Sequence, residues 1–269
     1  MSYLQDKVVL VTGAGGSIGS ALCKQILTHK PAVLVAIDNS ELALYNLQRS
    51  FPDVVALLGD ITLREDANRA YLHVPHVVYH AAAYKHVGIC EENSSAAARV
   101  NINGTREMLR GAVKRAVEKF ILISTDKAVQ PSCVMGRTKA EAEKITLGAG
   151  YSVVRLGNVW GSSGSVVPLW QEQIANGKPV TITDPRATRY FLHPSEAAKR
   201  IIKASEIAEG GDVFVPNMGE AIKVVDVARG LGAAEFKVIG LRQGEKLHEK
   251  LFRGKKVKTV YPEIFRDAA

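Results

Sequence analysis

The sequence predicts an α/β protein: a Rossmann-like, doubly wound parallel sheet with a smaller, partly interleaved substrate-binding domain. Three observations carry this prediction. Short Val- and Ile-rich runs alternate with stretches of helical apolar spacing, the rhythm of a parallel sheet covered on both faces by crossover helices. The first run leads into a glycine-rich turn that a helix pattern follows at once. The runs end in small or polar residues, as expected where a ligand meets the carboxyl ends of such strands.

The elements follow in chain order. Residues 8–11 read as the first strand, ending in Thr12-Gly13, and 17–27 as the first helix. A strand over 33–37 ends at Asp38 and gives way to a helix over 40–50. Residues 54–58 form a third strand ending in Gly59-Asp60, and 77–79 a fourth that runs into His80-Ala81-Ala82-Ala83. A helix over 104–116 precedes the fifth strand, 120–123, which ends in Ser124-Thr125-Asp126. A helix over 137–147 then leads to a sixth strand starting at Val153-Val154, and 213–215 reads as a seventh. After about Gly161, Pro168, Pro179, Pro185, Pro194 and Pro216 break the chain into short pieces. The expected division is a Rossmann region over 1–161, rejoined by a strand and helix from about 190–217, and a smaller, interleaved substrate-binding region over 162–269.

Composition narrows the class. With 46% hydrophobic and 23% charged residues the chain has the make-up of a globular protein with a core. No apolar run is long enough to cross a bilayer, the amino end lacks a signal-peptide pattern, and with a strand starting near Lys7 no leader is expected. Cys23, Cys90 and Cys133 show neither CxxC pairing nor metal-ligand spacing, so a reducing, cytoplasmic setting without a metal site is expected. A net charge of +8 favours anionic partners. Part of it gathers in Arg242, Lys246, Lys250, Arg253, Lys255, Lys256 and Lys258, with Glu245 and Glu249 among them, which reads as a solvated face. No aromatic interleaving accompanies these charges, so nucleic acid is not an expected partner.

Gly13, Gly16 and Gly19 stand in G-x-x-G-x-x-G spacing, with Ser17 and Ile18 opening the helix. Missing side chains let backbone approach a pyrophosphate, and the helix amino terminus offers free N–H groups and a positive dipole end. Asp38 is placed to accept hydrogen bonds from adenosine ribose hydroxyls, which favours NAD. NADP is the alternative, through a basic residue distant in sequence, since none occurs over 32–47. Asp60 and Ile61 follow the third strand, where a side chain would face the adenine. Ala81, Ala82 and Ala83 would let the cofactor lie against the chain.

Ser124-Thr125-Asp126-Lys127 leaves the fifth strand, and Met135-Gly136-Arg137-Thr138-Lys139 follows. Met135 and Lys139 share a helical face, where short-chain dehydrogenases carry tyrosine and lysine. With these residues the chain resembles the bacterial UDP-N-acetylglucosamine 4,6-dehydratases, extended short-chain dehydrogenases of the polysaccharide-biosynthesis group. The resemblance covers nearly the whole chain. It includes Asp38-Asn39-Ser40-Glu41, Ala82-Ala83-Tyr84-Lys85-His86-Val87, Asn101-Ile102-Asn103-Gly104-Thr105, Gly164-Ser165-Val166-Val167-Pro168, Thr188-Arg189-Tyr190-Phe191 and Gly244-Glu245-Lys246-Leu247. Methionine at position 135 resembles the branch that retains configuration at sugar carbon 5. Gly88 departs from a usual proline and Cys133 from a usual asparagine. Against the same pattern the carboxyl end reads as short, and the membrane-anchored amino-terminal part of some relatives is not expected.

The resemblance implies oxidation of UDP-N-acetylglucosamine at carbon 4, loss of water across carbons 5 and 6, and reduction at carbon 6. It implies Lys127 as base toward carbon 5 and Asp126 as acid toward the departing hydroxyl. Lys139 would hold the nicotinamide ribose. Methionine cannot act as a base, so Thr125 is the expected relay for the carbon-4 hydroxyl proton. Asn158, Arg189 and Arg242 are candidates for the substrate pyrophosphate, since an arginine fork suits phosphate oxygens. Glu245 is the candidate for the uridine ribose. Lys85 would face the substrate, and His86 either does so or packs. The family also implies a homo-oligomer, paired through the helices after Asn103 and Met135. Two other functions fit the same residues: a 4-epimerase acting on UDP-N-acetylglucosamine or UDP-glucose, and a regulator that senses NAD(P) without chemistry.

Overall fold

A computed structural model describes residues 2–268. Its centre is a nine-stranded sheet. Six strands, β1 (Val8–Thr12), β2 (Val33–Asp38), β3 (Val55–Leu58), β4 (Val77–His80), β5 (Lys119–Thr125) and β6 (Ser152–Leu156), lie in the order β3-β2-β1-β4-β5-β6. All pair in parallel. This is the doubly wound, Rossmann-like order, and its direction reverses between β1 and β4. Strand Val213–Pro216 adds to β6 in parallel, and Ile264–Ala268 and Lys255–Lys258 close that side antiparallel.

Each run read as a strand is one. The last two strands were not expected: Ile264–Ala268 has only the short apolar pair Ile264-Phe265, Lys255–Lys258 is exposed throughout, and a lysine-rich edge is a common guard against further strand addition. The helices up to β6 are α1 (Ser17–Leu27), α2 (Glu41–Ser50), α3 (Arg64–Ala70), α4 (Val87–Glu92), α5 (Ser94–Ala98), α6 (Thr105–Lys114) and α7 (Val134–Gly148), and Val166–Ala175, Pro194–Glu206 and Val224–Gly230 follow. The Ser40 hydroxyl caps α2 by accepting from the Ala43 amide. Helices α3 to α5 are too short to show a period in sequence. Helix α7 starts at Val134 rather than Arg137 because the Cys133 thiol accepts from the Gly136 amide at 3.3 Å.

Alternating side chains on the strands build two apolar layers. Val9, Val11, Val77 and Tyr79 pack with Leu22 and Ile26 of α1 and with Ile201 and Ile202 of helix Pro194–Glu206. Leu10, Val35, Val78 and Leu122 face Met108 and Leu109 of α6 and Ala142 of α7. Each large aliphatic side chain so buried stabilises the fold by about 1.5–3 kcal/mol. A third cluster, with Trp170, Val180, Ile182, Phe191 and Val224, lies over the carboxyl side of the chain. Three two-stranded ribbons serve that part: Asn158–Val159 with Phe191–Leu192, Thr188–Arg189 with Ile222–Lys223, and Val180–Ile182 with Phe236–Val238. Among the described residues no helix is long and apolar enough to cross a membrane.

Candidate active site

A cleft of about 760 Å³ opens at the carboxyl ends of the strands and is roofed by the third cluster. Gly13, Gly16, Ser17, Ile18 and Gly19 line one end, with Ala81 and Ala83 beside them. Thr125, Lys127, Met135 and Lys139 line the middle. Lys85, His86, Asn158, Arg189, Arg242 and Glu245 line the remainder. The structure thus brings residues from distant parts of the chain to one cavity. Asp38, Asp60, Ile61, Ala82 and Asp126 are not among the residues that line it.

The glycine-rich turn is built for close approach. Gly13 has φ +61°, and a β-carbon there would stand 2.7 Å from the Ala82 backbone, so the first turn and the loop after β4 touch main chain to main chain. Helix α1 has no side-chain cap and no acid in its first turn, leaving its amino end open to an anion. One Asp38 oxygen accepts from the Gly15 amide at 2.9 Å and the other from Ser40 at 3.0 Å, which fixes the turn beside β2. Asp60 accepts from the Thr62 amide, and Ile61 is buried against the Gly104 position. His80, at the end of β4, is fully buried between the hydroxyls of Thr12 and Thr105. Burial, seconded by Lys139, lowers its pKa to about 3, so the ring is neutral.

A π-helical turn, Arg99–Gly104, delivers the buried Asn101 to the loop after β4. Asn101 accepts from the Tyr84 amide and donates to the Tyr84 carbonyl and to Thr138 of α7. It thereby braces the Lys85 loop against the helix that carries Met135 and Lys139.

At the end of β5, Thr125 donates to Asp126 at 2.9 Å, and the Lys127 amine donates to the same oxygen at 3.0 Å. Asp126 is fully buried, and its second oxygen has no hydrogen-bond partner. Burial draws the Lys127 pKa down, but the carboxylates of Asp126 and Glu249 outweigh it and the net direction is upward. Gly136 explains part of the Met-Gly-x-Thr-Lys motif: a β-carbon there would strike the Lys127 carbonyl oxygen, so glycine lets α7 press against this turn. Lys139 donates to the Ile123 carbonyl at 2.7 Å. Burial lowers its pKa to about 8, against the pull of Glu143.

The chain after Gly244 grips the same turn. Lys246 donates to the Val129 carbonyl at 2.8 Å, Arg253 to Ala128 at 2.6 Å, and Ser132 to Gly244 at 2.7 Å. Lys246 and Arg253 are therefore clamps, in contrast to the solvated face that composition suggests. Arg189 spends two of its nitrogens on the carbonyls of Thr188, Lys246 and Leu247. Glu245 accepts from the Arg242 amide at 3.2 Å, closing a turn at the cleft edge. Glu249, which sequence reasoning assigned to the charged surface, lines the cleft 3.5 Å from the Lys127 amine. Its position depends on the pairing of Thr188 with His248, a contact with no local signature.

Residues 9–268 match the family described as polysaccharide biosynthesis protein. The capsular polysaccharide biosynthesis protein CapD of Staphylococcus aureus is 39% identical over 98% of this chain and 48% of its own. The probable polysaccharide biosynthesis protein EpsC of Bacillus subtilis is also 39% identical, again over 48% of its own length, so this chain spans about half of these two relatives. A Campylobacter jejuni protein named UDP-N-acetylglucosamine 4,6-dehydratase (inverting) is 35% identical over 90% of this chain and 76% of its own. A Rickettsia canadensis protein named UDP-glucose 4-epimerase is 32% identical, with 91% and 77% covered. The crystal structure of Pen from Bacillus thuringiensis superposes with a TM-score of 0.92 at 30% identity, covering 98% and 89%. DesIV of Streptomyces venezuelae, a dTDP-glucose 4,6-dehydratase solved with NAD bound, shares the fold, with a TM-score of 0.82 at 21% identity over 91% and 88%. A match over nearly all of its length, with a doubly wound sheet and cleft to accompany it, makes this chain a member of the polysaccharide biosynthesis protein family.

Proposed function

We propose that this chain is a nucleotide-sugar 4,6-dehydratase acting on UDP-N-acetylglucosamine with NAD as its cofactor. The observation that carries this reading is the Thr125–Asp126–Lys127 cluster, which joins a hydroxyl, a buried carboxyl and an amine at one wall of the cleft.

The cofactor fits the residues present. The side-chain-free approach of Gly13 to Ala82 and the uncapped start of α1 suit a pyrophosphate. Asp38, without a basic neighbour over 32–47, suits ribose hydroxyls more than a 2′-phosphate. When bound, the nicotinamide supplies reversible oxidation at carbon 4 and returns the electrons at carbon 6. Lys139 would hold the nicotinamide ribose, and Met135, which cannot take a proton, would line the cleft beside it.

The chain's own residues then account for the protons. Thr125 takes the carbon-4 hydroxyl proton and passes its own to Asp126, along their 2.9 Å hydrogen bond. Asp126 gives that proton to the departing carbon-6 hydroxyl, so water leaves and the carboxylate returns to its starting form. Lys127, which must first shed the proton that its two carboxylate neighbours favour, removes the carbon-5 proton as free amine and later returns one to the same carbon. Asn158, Arg189 and Arg242 hold the substrate pyrophosphate, Glu245 the uridine ribose, and Lys85 and His86 the sugar side. In this reading residues 1–161, with the returning 190–217, carry the cofactor, and 162–269 carry the sugar nucleotide. Met135 supports retention at carbon 5; the inverting name of the Campylobacter relative supports the opposite outcome.

A second reading, 4-epimerisation, is favoured by the Rickettsia relative. It uses the same oxidation and leaves Lys127 without a task. NMR of the product from UDP-N-acetylglucosamine separates the two. A new carbon-6 methyl signal supports dehydration; a galacto-configured sugar with its carbon-6 hydroxyl intact supports epimerisation.

A further inference from the structure

Glu249 has no place in the proton account above, yet it is the second carboxylate at the Lys127 amine. Its side chain is 2% exposed and its Oε1 lies 3.5 Å from Lys127 Nζ, while Asp126 holds the same nitrogen at 3.0 Å. The other Glu249 oxygen is buried without a hydrogen-bond partner. A carboxylate in that condition costs stability unless a nearby cation repays it. Lys246 is 3.9 Å away, but its own hydrogen bond goes to the Val129 carbonyl.

The backbone around Glu249 is fixed from outside. The Thr188 amide donates to the Leu247 carbonyl, Thr188 pairs with His248, and Arg189 binds the carbonyls of Lys246 and Leu247. The backbone leading into Glu249 is therefore held at residues 246–248.

We propose that Glu249 is a positioning residue for Lys127. It holds the amine in the cleft as a second carboxylate beside the Asp126 contact and makes it a stronger base by stabilising the ammonium formed when the carbon-5 proton arrives. The role rests on the dehydratase reading only for the identity of that proton. The charged groups facing this pair are Asp126 on its own turn, Lys246 beside Glu249, and Arg189, whose charge opposes protonation of Lys127. With Glu249 neutralised, burial and Arg189 have one carboxylate fewer against them, so the proton affinity of Lys127 falls.

The test uses the whole protein and the variants Glu249→Gln and Glu249→Asp. Trace labelling of Lys127 by an amine reagent across pH, read by peptide mass spectrometry, follows its titration without substrate. Glu249→Gln moves the Lys127 midpoint down by about one pH unit, a tenfold change in proton affinity. Glu249→Asp stays nearer the parent, and UDP affinity is unchanged in both. With UDP-N-acetylglucosamine in deuterated water, the acidic limb of carbon-5 exchange moves the same way in Glu249→Gln and its plateau falls. Labelling curves that superimpose for parent and Glu249→Gln overturn the proposal. Absence of carbon-5 exchange in the parent protein overturns the dehydratase reading instead, and the labelling result still decides the role of Glu249.

Discussion

Arg155 and Glu143 form a buried two-pronged ion pair: Nε meets one carboxylate oxygen and a terminal nitrogen the other, each at 2.8 Å. The pair joins β6 to α7, and its remaining contacts reach further. Arg155 also binds Asp267 of the last strand, Ser124 of β5 donates to Glu143 at 2.6 Å, and Arg253 lies 3.2 Å from Glu143. The strand that ends in the Thr125–Asp126–Lys127 turn, the helix bearing Lys139 and the carboxyl-terminal strand are thereby locked together.

Breaking the pair from one side leaves a buried charge short of a partner. Glu143→Gln should therefore cost about 3–5 kcal/mol, measured as a shift in urea unfolding. Arg155→Met should fall in the same range, because Glu143 and Asp267 then face each other with less positive charge between them. A loss below about 1 kcal/mol, the range of exposed pairs, would mean that the network is not formed in solution.

Gly13→Ala places a methyl group against the Ala82 backbone at a φ of +61°. The left-handed conformation alone costs about 1–2 kcal/mol, and the turn must move off the loop after β4. The expected result is a protein that folds but loses bound dinucleotide, measured by absorbance and release on denaturation. Full dinucleotide content in this variant would show that the turn is not the pyrophosphate site.

His80 makes stability depend on pH. Its folded pKa, about 3, lies below the ordinary value of 6.5, so the unfolded chain binds a proton that the folded chain refuses. Stability from this group is complete above about 6.5 and is lost as pH falls toward 3, at up to about 1.4 kcal/mol per pH unit. His80→Asn should start less stable at pH 7 and lose less between pH 7 and 4.5 than the parent. Equal losses in urea unfolding would show that His80 is not held neutral.

Lys139 works in the opposite part of the scale. Its folded pKa of about 8 lies below the ordinary 10.5, so the buried ammonium costs stability below pH 8 and the cost is relieved as pH rises toward 10.5. Lys139→Met should remove that dependence while abolishing turnover, read by unfolding at pH 7.5 and 9.5. A parent protein whose stability difference between these two pH values matches that of Lys139→Met would contradict the assignment.

The central sheet was legible because its strands are buried on both faces, which leaves unbroken Val and Ile runs such as 33–37. The glycine turn and the Met135–Lys139 spacing were legible because both are local. Edge strand Lys255–Lys258 was not, since an exposed strand needs no apolar pattern. Lys246, Arg253 and Glu249 were read as surface charges because their partners, Val129, Ala128 and Lys127, lie more than a hundred residues away in sequence. Asn101 appeared in a motif, but its three hydrogen bonds to Tyr84 and Thr138 follow from a π-helical turn that spacing does not reveal.

The most direct test follows carbon 5 of UDP-N-acetylglucosamine by NMR in deuterated water, with the parent protein beside Lys127→Ala and Asp126→Asn. The parent should give a carbon-6 methyl product carrying deuterium at carbon 5. Each variant should lose at least about a hundredfold in both signals, the scale of a missing acid or base. Methyl product formed at the parent rate by Lys127→Ala, or an epimerised sugar with its carbon-5 hydrogen untouched, would contradict the dehydratase assignment.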